Sequence, residues 1–249
     1  MSTYGLPPAA LAAVPAVALL LCYMVGSIPW AYLIVKWVSG EDVSAHGTGN
    51  VGAMNVKRTT GSWGWFTVAM FADAFKGLIP TLLAKGVMAG FGVAWLAGPG
   101  GEPFFSRFGT VTQMTLAQWW DALPMLAVLG TVAGHNYSMW LAIKKRRFDR
   151  TGKGLATGAG ALLAYDWRYF VIVVAVGLLT ILVTRYMMAG QVAAAASLPV
   201  GALVLRSPDW PFALLMGVIV YWAHHKRFIG MLQGKEPRFY TKDAMGPRG

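Results

Sequence analysis

Cysteine, histidine and acidic side chains are scarce in this sequence. One cysteine, Cys22, stands among 249 residues, so no intramolecular disulfide can form. Four histidines at these spacings, with that one cysteine, make no zinc site. Charged residues are only 12% of the chain, against about 25% in an average soluble domain. That deficit excludes a soluble globular domain, a disordered protein and a coiled coil. No charged side chain precedes Lys36, so the cationic start of a cleavable signal peptide is missing. A GxSxG elbow, a Rossmann fingerprint, paired catalytic carboxylates, an HxxxxD arrangement and an internal repeat are all absent.

Apolar sequence is what the chain has in quantity. Hydrophobic residues make up 56% and the mean hydropathy is +0.52. Apolar runs cover approximately 9–38, 62–96, 122–143, 155–166, 168–187, 189–206 and 209–225. These predict an all-α polytopic transmembrane bundle of about seven spans, folded as one membrane domain over residues 1–249. The fourth run is short, and Lys76 and Lys85 interrupt the second. The net charge of +11 would suggest nucleic acid in a soluble protein. Its distribution points elsewhere. Most Lys and Arg fall in 39–61, 144–154, the turn at Arg185 and the tail after His224, while Arg107, Arg168 and Arg206 fall on the other side. Cytoplasmic loops collect such residues. The reading is an outside N-terminus, a cytoplasmic C-terminus, a bilayer as partner and no nucleic acid. Loop 97–121 is the longest outside connection, and the 11 Trp are mostly interfacial anchors.

Polar residues gather with glycine on the cytoplasmic side. The first cluster runs from His46 to Arg58 and holds Gly47, Gly49, Asn50, Gly52, Asn55 and Arg58. Closely spaced glycines let backbone N–H groups converge on an anion; an ordinary glycine-rich loop is the other reading. The second cluster, Thr151 to Thr157, opens the fourth run with Gly152, Lys153 and Gly154. A helix N-terminus with a flanking lysine suits phosphate, or marks a plain cytoplasmic helix start. It is not a P-loop, because Arg147 stands where the upstream glycine is needed. Asp73 and Lys76 are three apart inside the second span and share a helix face; ionisable groups at that depth are functional or paired. His135 and Asn136 close the third span, where a histidine serves as a general base, orients a hydroxyl or bonds a backbone carbonyl. Ser27 precedes Pro29, which frees the carbonyl at position 25 for a kink or a ligand.

In order, these clusters resemble one family, the bacterial integral-membrane acyl-phosphate:glycerol-3-phosphate acyltransferases. Gly26-Ser27-Ile28-Pro29 is similar to its first-helix motif, and His46 to Arg58 to its glycine loop. Asp73, Lys76 and Gly77 match D-x-x-K-G, Gly134 to Asn136 match GHN, and Gly152 to Thr157 match GKGxAT. His224, Leu232, Gly234, Glu236 and Pro237 resemble its tail pattern. The resemblance implies transfer of an acyl group from acyl phosphate to the 1-hydroxyl of glycerol 3-phosphate, giving lysophosphatidate and inorganic phosphate for phospholipid synthesis. It implies a cytoplasmic active site in the bacterial plasma membrane, with no cofactor and no metal. Gly47, Gly49, Asn50, Gly52, Asn55, Arg58, Lys76, Gly152, Lys153, Gly154 and Thr157 would then bind phosphate. His135, Asn136 and Ser27 would be catalytic, with His135 or a substrate phosphate as proton acceptor. Asp73 and Glu236 would be structural or pairing residues.

The chain departs from that pattern at several points. Ser44 stands at the place of an arginine before the glycine loop, and Met188 and Gln191 replace serines. About six extra residues between His135 and Lys153 add the basic run Lys144 to Arg150. A non-catalytic or re-specialised lipid- or phosphate-binding paralogue on the same scaffold is therefore the alternative. A small-molecule transporter fits poorly with polar clusters confined to one side.

Overall fold

The computed structural model describes residues 8–92 and 122–235; loop 97–121 and Glu236 lie outside the described residues. Among the described residues there are ten α-helices, one 3-10 turn and no strand. In chain order the helices are α1 (Pro8–Gly26), α2 (Trp30–Ser39), α3 (Ala53–Thr60), α4 (Trp63–Gly92), α5 (Leu123–Asn136), α6 (Met139–Lys145), α7 (Leu155–Tyr165), α8 (Trp167–Thr184), α9 (Met187–Val204) and α10 (Trp210–Leu232). The 3-10 turn is Val43–Ala45.

Four stretches among the described residues are long and apolar enough to cross a membrane: Ala13–Ser39, Trp63–Val87, Trp167–Thr184 and Met187–Val204. The first contains a break at Pro29. Where the sequence predicts a freed carbonyl at position 25, Ile28 N–H donates to it at 3.2 Å. The carbonyl of Ile28 turns inward instead and accepts from Lys76 Nζ at 2.9 Å. The expected third span, 122–143, is also divided. Helix α5 ends at Asn136, and Ser138 caps α6 by accepting from Leu141 N–H. His135, Asn136 and Ser138 mark the cap in a run that is otherwise apolar on both sides. Helix α7 has 11 residues, a rise of about 16 Å, against a hydrocarbon core of about 30 Å.

The outer surface is apolar. On α8, Leu178, Leu179, Leu182 and Val183 are all exposed, Val183 by 75%. A water-soluble protein would bury such a patch; a lipid-facing helix presents it. The interior is built in two parts. Val128, Val132, Ala161, Leu162, Phe212 and neighbours join α5, α7 and α10. Tyr32, Val35, Val43, Val56 and Leu141 pack beneath the loops at one end.

Without a hydrophobic force between helices in lipid, close approach at small residues holds the bundle. Two crossings use it. A Cβ at Gly26 would strike the Thr131 carbonyl, and one at Gly134 would strike the Tyr23 carbonyl, so α1 and α5 touch backbone to backbone. A Cβ at Gly77 would strike the Thr157 carbonyl, and one at Gly160 would strike the Ala74 carbonyl, so α4 and α7 do the same. Gly77→Leu is therefore expected to force α4 from α7. Overpacking of this kind costs about 1–3 kcal/mol; thermal unfolding in detergent checks it, and an unchanged melting temperature would contradict the contact.

Candidate active site

The α4–α7 contact carries Asp73 and Lys76 into the interior. Lys76 Nζ lies 2.9 Å from Asp73 Oδ1 and donates to the Ile28 carbonyl at 2.9 Å. Both side chains are under 5% exposed. The pair expected from sequence is present, and the proline break in the first span supplies the lysine with a second acceptor. Lys76, assigned to phosphate from sequence, is thus engaged inside the bundle by Asp73 and Ile28.

His135 sits on this pair. Its Nδ1 is 3.6 Å from Asp73 Oδ1, too long for a hydrogen bond, and Nδ1 is buried with no hydrogen-bond partner. The opposite side of the ring meets Gly152, where a Cβ would collide with Nε2 and Cδ2. Glycine is required there because the loop lies directly on the imidazole.

The loop before α7 is pinned to the end of α5. Thr151 N–H donates to the Asn136 carbonyl at 2.8 Å and Gly152 N–H to the same oxygen at 3.4 Å. The Thr151 hydroxyl donates to the His135 carbonyl at 3.1 Å and accepts from Ser138 N–H at 3.2 Å. Ser138 Oγ in turn donates to the Ser27 carbonyl at 2.5 Å, and Ser27 Oγ accepts from Met139 N–H at 3.4 Å. Ser27, 1% exposed and expected at the catalytic centre, is built into this helix break. Gly154, at φ 75, caps α7. Asn136 Oδ1 and Thr157 Oγ1 are buried beside it without hydrogen-bond partners, and a Cβ at Gly154 would come within 3.1 Å of Asn136 Oδ1.

The other glycine cluster docks on this one. Val51 N–H donates to the Thr151 carbonyl at 2.7 Å. Gly47 and Gly49 take φ of 55 and 71, left-handed values that turn the loop tightly. Gly47 packs against Asn55 and the Arg58 stem, and Gly52 against the Asn50 amide. Asn55 is a phosphate donor in the sequence reading, but both its amide hydrogens are in use: Nδ2 donates to the Val43 carbonyl at 2.7 Å and to the His46 carbonyl at 2.9 Å. Only an acceptor oxygen remains, and an acceptor repels phosphate oxygens. Asn55 shapes the loop. Asp42 caps the preceding turn: partial burial would raise its carboxyl, but hydrogen bonds from Ser44 and the Lys145 ammonium hold it below the usual range.

Sequence reasoning left His224 out of the site. It is 1% exposed, its Nδ1 lies 2.8 Å from the Val220 carbonyl, and its buried Nε2 has no hydrogen-bond partner. The charges of Lys153, Arg150 and Arg227 act on it. The tail pattern was the available signal, masked by the adjacent His225. Above Gly154 an apolar cavity of about 40 Å³ runs into the bundle, lined by residues including Gly158, Leu162, Ala194, Leu198 and Gly217. The start of α7 at Gly154 and Leu155 therefore borders an apolar cavity.

Comparison with known proteins covers nearly the whole chain. A family model described as glycerol-3-phosphate acyltransferase matches residues 16–234. A protein of that name from Thermus thermophilus is 35% identical over 223 residues, 88% of this chain and 92% of the relative. One from Acaryochloris marina is 31% identical over 231 residues, covering 92% and 94%. A crystal structure of PlsY (YgiH), described as an integral membrane glycerol 3-phosphate acyltransferase in its glycerol 3-phosphate form, superposes with a TM-score of 0.70. It is 25% identical, covering 92% of this chain and 97% of that one. The helical membrane bundle, the ordered glycine motifs and these matches agree, and the chain belongs to the glycerol-3-phosphate acyltransferase family.

Proposed function

We propose that this protein transfers a fatty acyl group from acyl phosphate to the 1-hydroxyl of glycerol 3-phosphate, with lysophosphatidate and inorganic phosphate as products. The observation that carries this reading is the junction of the two glycine loops at the α7 N-terminus, through Val51 and Thr151. That junction brings the two glycine segments together at a helix N-terminus, and these segments carry Asn50, Arg58 and Lys153, residue types suited to two phosphate-bearing substrates. The apolar cavity behind Gly154 suits the start of an acyl chain.

Acyl phosphate is already activated, so the reaction requires neither a metal nor an enzyme nucleophile. The substrate hydroxyl oxygen attacks the acyl carbonyl carbon. The bond from that carbon to the phosphate oxygen breaks, and phosphate leaves with the electron pair. Backbone N–H groups and Lys153 stabilise the charge that gathers on it. The walling of His135 between Asp73 and Gly152 favours a substrate phosphate oxygen as the proton acceptor, with His135 holding the loop. Asn136 Oδ1, buried and unpartnered, accepts from a substrate hydroxyl and orients it.

The reading includes about seven spans, an outside N-terminus, a single membrane domain over the chain, and a cytoplasmic site in the bacterial plasma membrane. The charge distribution supports that orientation. The test is a purified sample given palmitoyl phosphate and glycerol 3-phosphate. Equal amounts of lysophosphatidate and inorganic phosphate are expected. No phosphate release, or acylation from an acyl thioester alone, would overturn the donor assignment.

A further inference from the structure

Every residue from Ile143 to Arg150 is exposed. The stretch carries Lys144, Lys145, Arg146, Arg147 and Arg150 against one acid, Asp149. Two of these cations are taken up by carboxylates. Arg147 pairs with Asp149, and Lys145 donates to Ser44 Oγ with its Nζ 3.3 Å from Asp42 Oδ2. Lys144 and Arg146 have no acidic partner among the described residues; Lys144 Nζ lies 5.2 Å from the centre of the Tyr32 ring, and Arg146 caps α6 at φ 50. Rings stand in the same place. Phe148 is 65% exposed, yet it is held, stacked on Tyr137 with ring centres 5.7 Å apart. Trp140 Nε1 donates to the Met24 carbonyl at 3.3 Å, and the Tyr23 hydroxyl donates to the Tyr137 carbonyl at 2.8 Å. These bonds tie Trp140 and Tyr137 to the last turns of α1, where Leu20, Leu21 and Val25 are exposed. An outward apolar face thus passes into rings and then into cations. A bilayer has that order, from hydrocarbon through interface to anionic headgroup.

We propose that Lys144, Arg146 and Phe148, with Trp140 beside them, bind an anionic phospholipid of the leaflet that meets this end of the bundle. The two cations take the headgroup phosphate. The rings lie against the glycerol and the first acyl carbons, with Phe148 held ready by its stack on Tyr137. A soluble phosphate would use the cations and gain nothing from an exposed ring, so the occupant that fits both is a lipid. A cation near an anionic surface contributes about fivefold in affinity, and here two of them act without an acid to neutralise them. The inference does not depend on the reaction proposed above: it concerns the surface of α6 and the stretch after it, and holds whichever substrate the glycine loops receive.

The experiment titrates the full chain in detergent with phosphatidylglycerol and, separately, phosphatidylcholine, and reads the dissociation constant of the first bound lipid by native mass spectrometry. Wild type is expected to prefer phosphatidylglycerol by about tenfold or more. The double variant Lys144→Gln with Arg146→Gln should lose about tenfold of that binding. Lys226→Gln with Lys235→Gln removes the same charge from exposed sites elsewhere and should stay within about twofold of wild type. Phe148→Ser keeps every charge and should weaken phosphatidylglycerol by about threefold. Millimolar inorganic phosphate should leave the bound lipid in place. Melting temperatures are followed in parallel; if the Lys144 and Arg146 double variant does not fold, Arg146→Gln alone carries the test, with a loss of about fivefold. Wild type without a preference overturns the proposal. Equal losses in the two double variants also overturn it, because they show a diffuse charge effect. Full binding in Phe148→Ser, or displacement by inorganic phosphate, replaces the lipid with a soluble anion and overturns it as well.

Discussion

Asp73→Ala is expected to lower stability by about 3–5 kcal/mol, the cost of breaking a buried ion pair by removing one partner. Lys76 would keep its charge inside the bundle with the Ile28 carbonyl alone to face it, since its 2.9 Å carboxylate partner is gone. His135 would lose the group beneath its ring as well. The decisive comparison is the double variant Asp73→Leu with Lys76→Met. Replacing both members of a buried pair with apolar residues is often near neutral, and here the Ile28 carbonyl keeps the Trp30 N–H at 3.1 Å. Thermal unfolding in detergent should therefore rank wild type first, the double variant next and Asp73→Ala last. Equal melting temperatures for the two variants would show that the ion pair is not what holds α4 to the first span.

Lys153→Ala is expected to carry the largest effect on turnover. A hydrogen bond to a charged group contributes about 1.5–3 kcal/mol, or about 10- to 150-fold in rate. Lys153 sits between Gly152, which lies on His135, and Gly154, which caps α7. Loss of its ammonium removes the charge of the residue that precedes the cap Gly154, while the backbone of the loop remains. The residual activity should therefore be small but measurable, and Lys153→Arg should recover part of it. Phosphate release from palmitoyl phosphate, with melting temperature followed in parallel, provides the check. A folded Lys153→Ala protein with wild-type rates would remove this loop from the site.

Features set by local spacing were legible in the sequence. Asp73 and Lys76 pair because three residues separate them on a helix. The brevity of α7 was visible as a short apolar run. Features set by tertiary direction were not. Asn55 reads as a donor beside a glycine loop, yet only the fold shows that it faces inward to Val43 and His46. The break at Ser138 carried a signal in Asn136 and Ser138, but apolar residues on both sides joined the two helices into one expected span. Lys145 and Ser44 are 101 residues apart, and no periodicity links them. Gly77 matched a motif, but its reason, the Thr157 carbonyl against it, belongs to another helix.

The 11 residues of α7 also fix a depth. Both of its ends are polar. At the start stand Lys153 and the pinned loop. At the finish, Lys85 donates to the Ala164 and Tyr165 carbonyls, Tyr165 bonds Asp209 and Arg168 pairs with Asp166. Those ends are about 16 Å apart in a hydrocarbon layer of about 30 Å. Either the bilayer narrows around this helix or the loop is sunk below the headgroups. In both cases the proposed reaction brings water and glycerol 3-phosphate down to the acyl donor, whose carbonyl then need not rise out of its leaflet.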